Sequence, residues 1–142
     1  MDTIEERLRA IEDREAIREL TGRYCRLATG GRAEDIVELF TKDGGIELDG
    51  TLERGHERLL AVYRESFDAV RPIPTVHNHV VELDGDRATG YCGLELRMVA
   101  DGEAITAAGH YEDTFERVEG VWKFAHRKLV FYHRVPLSKG WA

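Results

Sequence analysis

The run Thr75-Val76-His77-Asn78-His79-Val80-Val81-Glu82-Leu83 carries two imidazoles in an extended, β-branched context. By the two-residue period of a strand, His77, His79, Val81 and Leu83 share one face. On an inward face, partial desolvation would keep an imidazole neutral and able to take a proton near neutral pH. One histidine could then abstract a proton beside a carbonyl or hydroxyl while the other orients it. The same spacing also suits two half-buried or exposed side chains with no chemical role. Tyr24 falls on the apolar stripe of a helix, where its hydroxyl could donate to a substrate oxygen or be satisfied within the core. Arg127 falls on a largely apolar strand face. An unpaired guanidinium there would be costly, so either an anionic ligand or a carboxylate must oppose it, and Asp113 on the preceding strand has the matching face.

Other chemistries find less support. Two histidines two apart on a strand can chelate one ion, but no third ligand has the required spacing, and His110, His126 and His133 could join only through the fold. No metal site is expected. There is no glycine-rich phosphate loop, no nucleophile elbow and no cysteine beside an evident base. No cofactor is expected either. Glu47 and Asp49 read as solvent-facing residues of a short hairpin.

These residues need elements to hold them. Thr3 and Glu6 have capping-box spacing, and Ile4, Leu8 and Ile11 then recur at helical intervals. Asp13 can cap a second helix along Ile17, Leu20, Tyr24 and Leu27, which Gly30-Gly31 ends. A third helix is predicted over Ala33 to Phe40. From Gly44 the period becomes that of a short hairpin, followed by a fourth helix from about Gly55 to Arg71, where Pro72 stops it. Beyond the histidine strand the chain is β-rich. Ala88 to Met98 alternate, and Ile105, Ala107, Gly109, Tyr111, Asp113 and Phe115 share a face of the next strand. On the last strand, Ala125, Arg127, Leu129, Phe131 and His133 oppose Trp122, Phe124 and Tyr132. A strand apolar on both sides must be covered on both. The outer face carrying Trp122, Phe124 and Tyr132 is therefore expected to join copies of the chain into a homodimer or larger homo-oligomer.

The 142 residues suit one domain, with 42% hydrophobic and 33% charged residues and no run long enough to span a bilayer. The acidic, helical N-terminus argues against a secretory signal. A net charge of −7 argues against a nucleic-acid partner, which needs a concentrated basic face. Cys25 and Cys92 lack metal-site spacing and read as free thiols of a reducing cytoplasm, with a disulfide between them the lesser alternative.

Several motifs, taken in order, resemble a known family. They are Arg14-Glu15-Ala16-Ile17-Arg18-Glu19-Leu20, Leu39-Phe40 followed by Asp43, the Asp84-Gly85-Asp86 turn, and Gly109-His110-Tyr111-Glu112-Asp113 leading to Glu119-Gly120-Val121-Trp122-Lys123-Phe124. Together they resemble the SnoaL-like branch of the nuclear transport factor 2-like superfamily across nearly the whole chain, 1–142. The resemblance implies an α+β cone: a curved antiparallel sheet packed against N-terminal helices, with a deep pocket in its mouth. That branch includes polyketide cyclases, scytalone dehydratase, bile-acid dehydratase and hexachlorocyclohexane dehydrochlorinase, with ketosteroid isomerase a more distant relation. It implies cofactor-independent proton transfer, as in a lyase or isomerase, on a small apolar cyclic molecule.

In the dehydratase and dehydrochlorinase members, an aspartate five positions after a helix tyrosine orients a histidine base. Here Tyr24 matches the tyrosine, but Thr29 stands at the aspartate position and cannot hold negative charge against an imidazolium. The family base lies a few residues before an asparagine matching Asn78. Either a short deletion has brought His77 to the site, or the base has been lost. Arg127 matches an arginine that steadies a leaving group. The residues so implicated are His77, His79, Tyr24 and Arg127 for chemistry, and Thr29, Asn78 and Asp113 for the substrate. The alternative is a non-catalytic ligand-binding or assembly module that has lost the Asp-His dyad.

Overall fold

The computed structural model describes residues 2–142. Helix α1 (Ile4–Thr29) opens with the reciprocal Thr3–Glu6 capping box. It runs unbroken where the sequence suggests two helices. Asp13 does not cap. It lies on the flank of α1, where its carboxylate accepts from Arg117 at 2.6 Å and from the Trp122 indole at 3.0 Å. The neighbouring Arg, Glu and Ala residues are good helix formers, so nothing there favours a break. Helix α2 (Ala33–Val37) is shorter than predicted, because Phe40 instead begins strand β1 (Phe40–Leu48) opposite Phe124. Strand β2 (Thr51–Arg54) completes a hairpin, and α3 (His56–Val70) stops before Pro72.

Strands β3 (Ile73–Asp84), β4 (Arg87–Ala100), β5 (Glu103–Val118) and β6 (Val121–Pro136) form an antiparallel meander. The sheet order is β2-β1-β6-β5-β4-β3, and only β1 and β6 run parallel. The helices pack on one face of this curved, unclosed sheet, giving the expected α+β architecture. Buried Ile17, Leu20, Tyr24 and Ala28 of α1 meet Leu94, Tyr111 and Phe124 of the sheet in the core.

Bulges bend the sheet and reset which side chains face inward. On β3 the pairing with β4 shifts between His77 and Val80, and Asn78 takes a φ of +54°. On β6 the pairing skips Ala125 and Tyr132. Gly109 lies opposite the second of these, where a Cβ would come within 1.9 Å of the Val130 carbonyl oxygen, so a glycine is required. The skip at Ala125 places Trp122 and Phe124 on the same inward face as Arg127. Trp122 is 6% exposed and Phe124 fully buried, so the expected outer-face association surface is corrected: of its three aromatic residues only Tyr132 lies outside.

Among the described residues no helix is long and apolar enough to cross a membrane. None of their His, Cys, Asp and Glu side chains gather in a group of three able to hold a metal ion. Cys25 and Cys92 are free thiols, and burial pushes Cys92 up to about 12.

Candidate active site in the mouth of the cone

A cavity of about 300 Å³ opens between α1, α3 and the inner face of the sheet. Its walls are mostly apolar, including Ile46, Leu48, Phe67, Pro74, Leu96 and Leu129. Its polar groups are the phenols of Tyr24, Tyr63 and Tyr111, the carboxylate of Glu53, and the hydroxyls of Thr51 and Ser66. A wider groove of about 680 Å³ crosses the outer face, but it is lined by charges of both signs such as Arg54, Glu82, Arg87 and Glu116 and is open to water. The more apolar and less open of the two, the cone cavity is the better place to hold a small molecule.

Each phenol reaches the cavity from a different element. Tyr24 projects from the core stripe of α1, Tyr63 from the buried face of α3, and Tyr111 from the inward row of β5. The Tyr24 and Tyr63 hydroxyls are 2.7 Å apart, and the Tyr24 and Tyr111 rings meet edge to face with centroids 6.1 Å apart. Burial pushes all three phenols above their ordinary value, Tyr63 and Tyr111 furthest. For Tyr24 the Arg127 guanidinium and the Tyr63 hydroxyl offset part of that rise. With Tyr63 as donor in the shared bond, the Tyr24 proton is free for a ligand oxygen.

Beneath this floor Arg127 is fully buried. Its Nε and Nη2 donate to the two oxygens of Asp113 at 2.8 and 3.0 Å, a bidentate pair of the kind that makes a buried charge tolerable. The guanidinium carbon lies 3.5 Å from the Tyr111 ring centroid and 4.4 Å from that of Tyr24. Burial opposes its charge, but Asp113, Tyr111 and Tyr24 outweigh that and hold its pKa well above the ordinary value. Its Nη1 has no hydrogen-bond partner among the described residues.

The histidines lie elsewhere. The bulge at Asn78 puts His77 and His79 on opposite faces, against the shared face expected. His77 points outward, its ring lying over Gly93, and Asn78 is exposed. His79 points inward over Gly90, beside Phe115, and does not line the cavity. Burial first, then Arg127 and Arg18, presses its pKa down to about 4. Thr29 is exposed at the end of α1, with its hydroxyl turned back to the Cys25 carbonyl at 2.9 Å. The inward-facing residues just before Asn78 are Pro74 and Val76, and neither can carry a proton. Thus of the expected residues only Tyr24 lines the cavity; Arg127 and Asp113 are buried beneath its floor and occupied with each other, so Asp113 does not meet a ligand there, and His77, His79, Asn78 and Thr29 stay outside.

A family model described as a SnoaL-like domain matches residues 9–128. The chain is a member of the SnoaL-like family. Solved structures agree with the fold. An NTF2-like protein with a cystatin-like fold from Novosphingobium aromaticivorans is 29% identical, with 93% of this chain and 92% of that one covered and a TM-score of 0.76. A singly substituted form of Rv3472 from Mycobacterium tuberculosis, a protein of unknown function, is 28% identical over 84% and 76% of the two chains, with a TM-score of 0.79. A type 2 hexachlorocyclohexane dehydrochlorinase, LinA, is 20% identical over 92% of both chains, with a TM-score of 0.85, a likeness of fold. No curated protein matches.

This SnoaL-like cavity contains residues that a search for histidines passes over. Tyr63 lies one helical turn before Phe67 on the α3 stripe, and Tyr111 two positions before Asp113 on the β5 inward row, so both read as core. Glu53 sits in the short β2 strand. There the Arg58 Nε donates to its Oε2 at 2.8 Å and holds the carboxyl below its ordinary range, ionised at neutral pH.

Proposed function

We propose that this protein is a cofactor-independent lyase or isomerase acting on a small, largely apolar cyclic molecule, with tyrosine in the electrophilic role and Glu53 as proton acceptor. The observation that carries this reading is the composition of the cavity: apolar walls, buried phenols at the floor and one ionised carboxylate. Tyr24 donates to a carbonyl or departing oxygen, and Arg127 beneath its ring favours the negative charge that gathers there. Glu53 takes the proton from the adjacent carbon as the C–H electron pair moves towards that oxygen or expels the leaving group. Tyr63 supports Tyr24 by donating to it.

Screening turnover of cyclic ketones and alcohols by the native protein, Tyr24→Phe and Glu53→Gln tests this. Tyr24→Phe should lower kcat by roughly 10²-fold with little change in KM, the mark of an interaction made in the transition state. Glu53→Gln should abolish turnover and leave binding.

A second reading, a ligand-binding module without chemistry, is favoured by the inward-facing Pro74 and Val76 where the family places its base. It predicts binding of the same compounds with no turnover by the native protein.

A further inference from the structure

Helix α1 carries two apolar stripes. Ile17, Leu20, Tyr24 and Ala28 face the sheet and are buried, while Ile4, Leu8 and Ile11 are 81%, 53% and 63% exposed. At about 100° per residue, the second stripe points roughly 160° away from the first, so the sheet leaves it largely uncovered, with only Leu8 bordering the β5–β6 turn across a surface hollow shared with Arg117 and Gly120. The second stripe has the alternating four-and-three spacing of a coiled-coil seam, with Ile4 and Ile11 at d positions and Leu8 at a.

The flanks of that seam are sorted by charge. Arg7 and Arg14 fall at g positions, Glu5 and Glu12 at e. In a parallel helix pair, a g residue meets the e residue five positions on in the other helix, which sets Arg7 of each copy against Glu12 of the other. An antiparallel pair would instead oppose arginine to arginine and glutamate to glutamate. Neither Arg7 nor Glu12 has an ion-pair partner among the described residues. Because the core-facing stripe lies on the far side of the helix, the two domains would stand on opposite sides of the seam. Beyond Ile11 the seam positions become Glu15 and Arg18, so the contact is short.

We propose that the N-terminal half of α1 is a self-association surface on which a second copy of this chain pairs in parallel through Ile4, Leu8 and Ile11, with Arg7–Glu12 pairs fixing the direction. Three apolar side chains per copy make a contact well below the standard interface size, so the association is weak.

Sedimentation equilibrium on the full chain from about 1 to about 500 μM measures it. The native protein should dimerise across that range, and Leu8→Glu should remain monomeric with an unchanged far-ultraviolet spectrum. Arg7→Glu should weaken the dimer roughly tenfold, and Arg7→Glu with Glu12→Arg should restore it. A native monomer throughout, or a dimer that survives Leu8→Glu, overturns the proposal. Failure of the double reversal to restore the dimer overturns the parallel arrangement.

Discussion

Tyr24 is the floor phenol whose proton is least costly to share, because Arg127 and Tyr63 both act on it while burial acts on all three. His79 is the contrasting case. Its Nε2 is buried without a partner among the described residues, and the group stays neutral down to about pH 4, against an ordinary value of 6.5. Between those values the unfolded chain binds a proton that the folded chain does not. The contribution of His79 is therefore fully present above about pH 6.5 and is lost as pH falls towards 4. With the ring half-buried, solvent screening reduces the loss to about 1 kcal/mol. Urea unfolding at pH 7 and pH 4.5 should show a steeper loss of stability for the native protein than for His79→Leu. Equal losses would place the acid sensitivity in other groups.

At the scale of elements, the hairpin, helix α3 and the long strands were legible in the sequence because periodicity and turn residues agree, whereas the cap read at Asp13 divided the single helix α1 in two. The inward row of β5 follows strict alternation and places Asp113 and Tyr111 as read. The strands beside it do not, since one extra residue at Asn78 on β3 and at Ala125 on β6 reverses every side chain beyond it. Asn78, a residue that tolerates positive φ, is the one local sign of the first bulge and nothing marks the one at Ala125, yet the two together separate the histidines and bury Trp122 and Phe124. The cavity was hidden for a related reason: its phenols come from three elements far apart in the chain. The end of α1 supplies a further test. Thr29 faces solvent, so Thr29→Asp should leave turnover unchanged, and an added negative charge at a helix C-terminus should cost about 0.3–1 kcal/mol in thermal unfolding. Dehydratase activity gained by that variant would show Thr29 within reach of the cavity.

The whole molecule combines an apolar, phenol-floored cavity on one side of the sheet with a charged outer face on the other. Among the described residues no lysine, arginine or histidine lines the cavity, and its one ionised group is a carboxylate. That carboxylate is paired with Arg58, so among the described residues no unpaired cation faces the cavity to hold an anion, and neutral molecules are the favoured ligands. The most direct test is a crystal structure of the protein soaked with a mixture of small cyclic ketones and alcohols. The account predicts ligand density in the cone cavity, with an oxygen about 2.6–3.2 Å from the Tyr24 hydroxyl and a ring carbon facing Glu53. Density against His77 or His79 instead, or in the outer groove with the cone cavity left vacant, would contradict it.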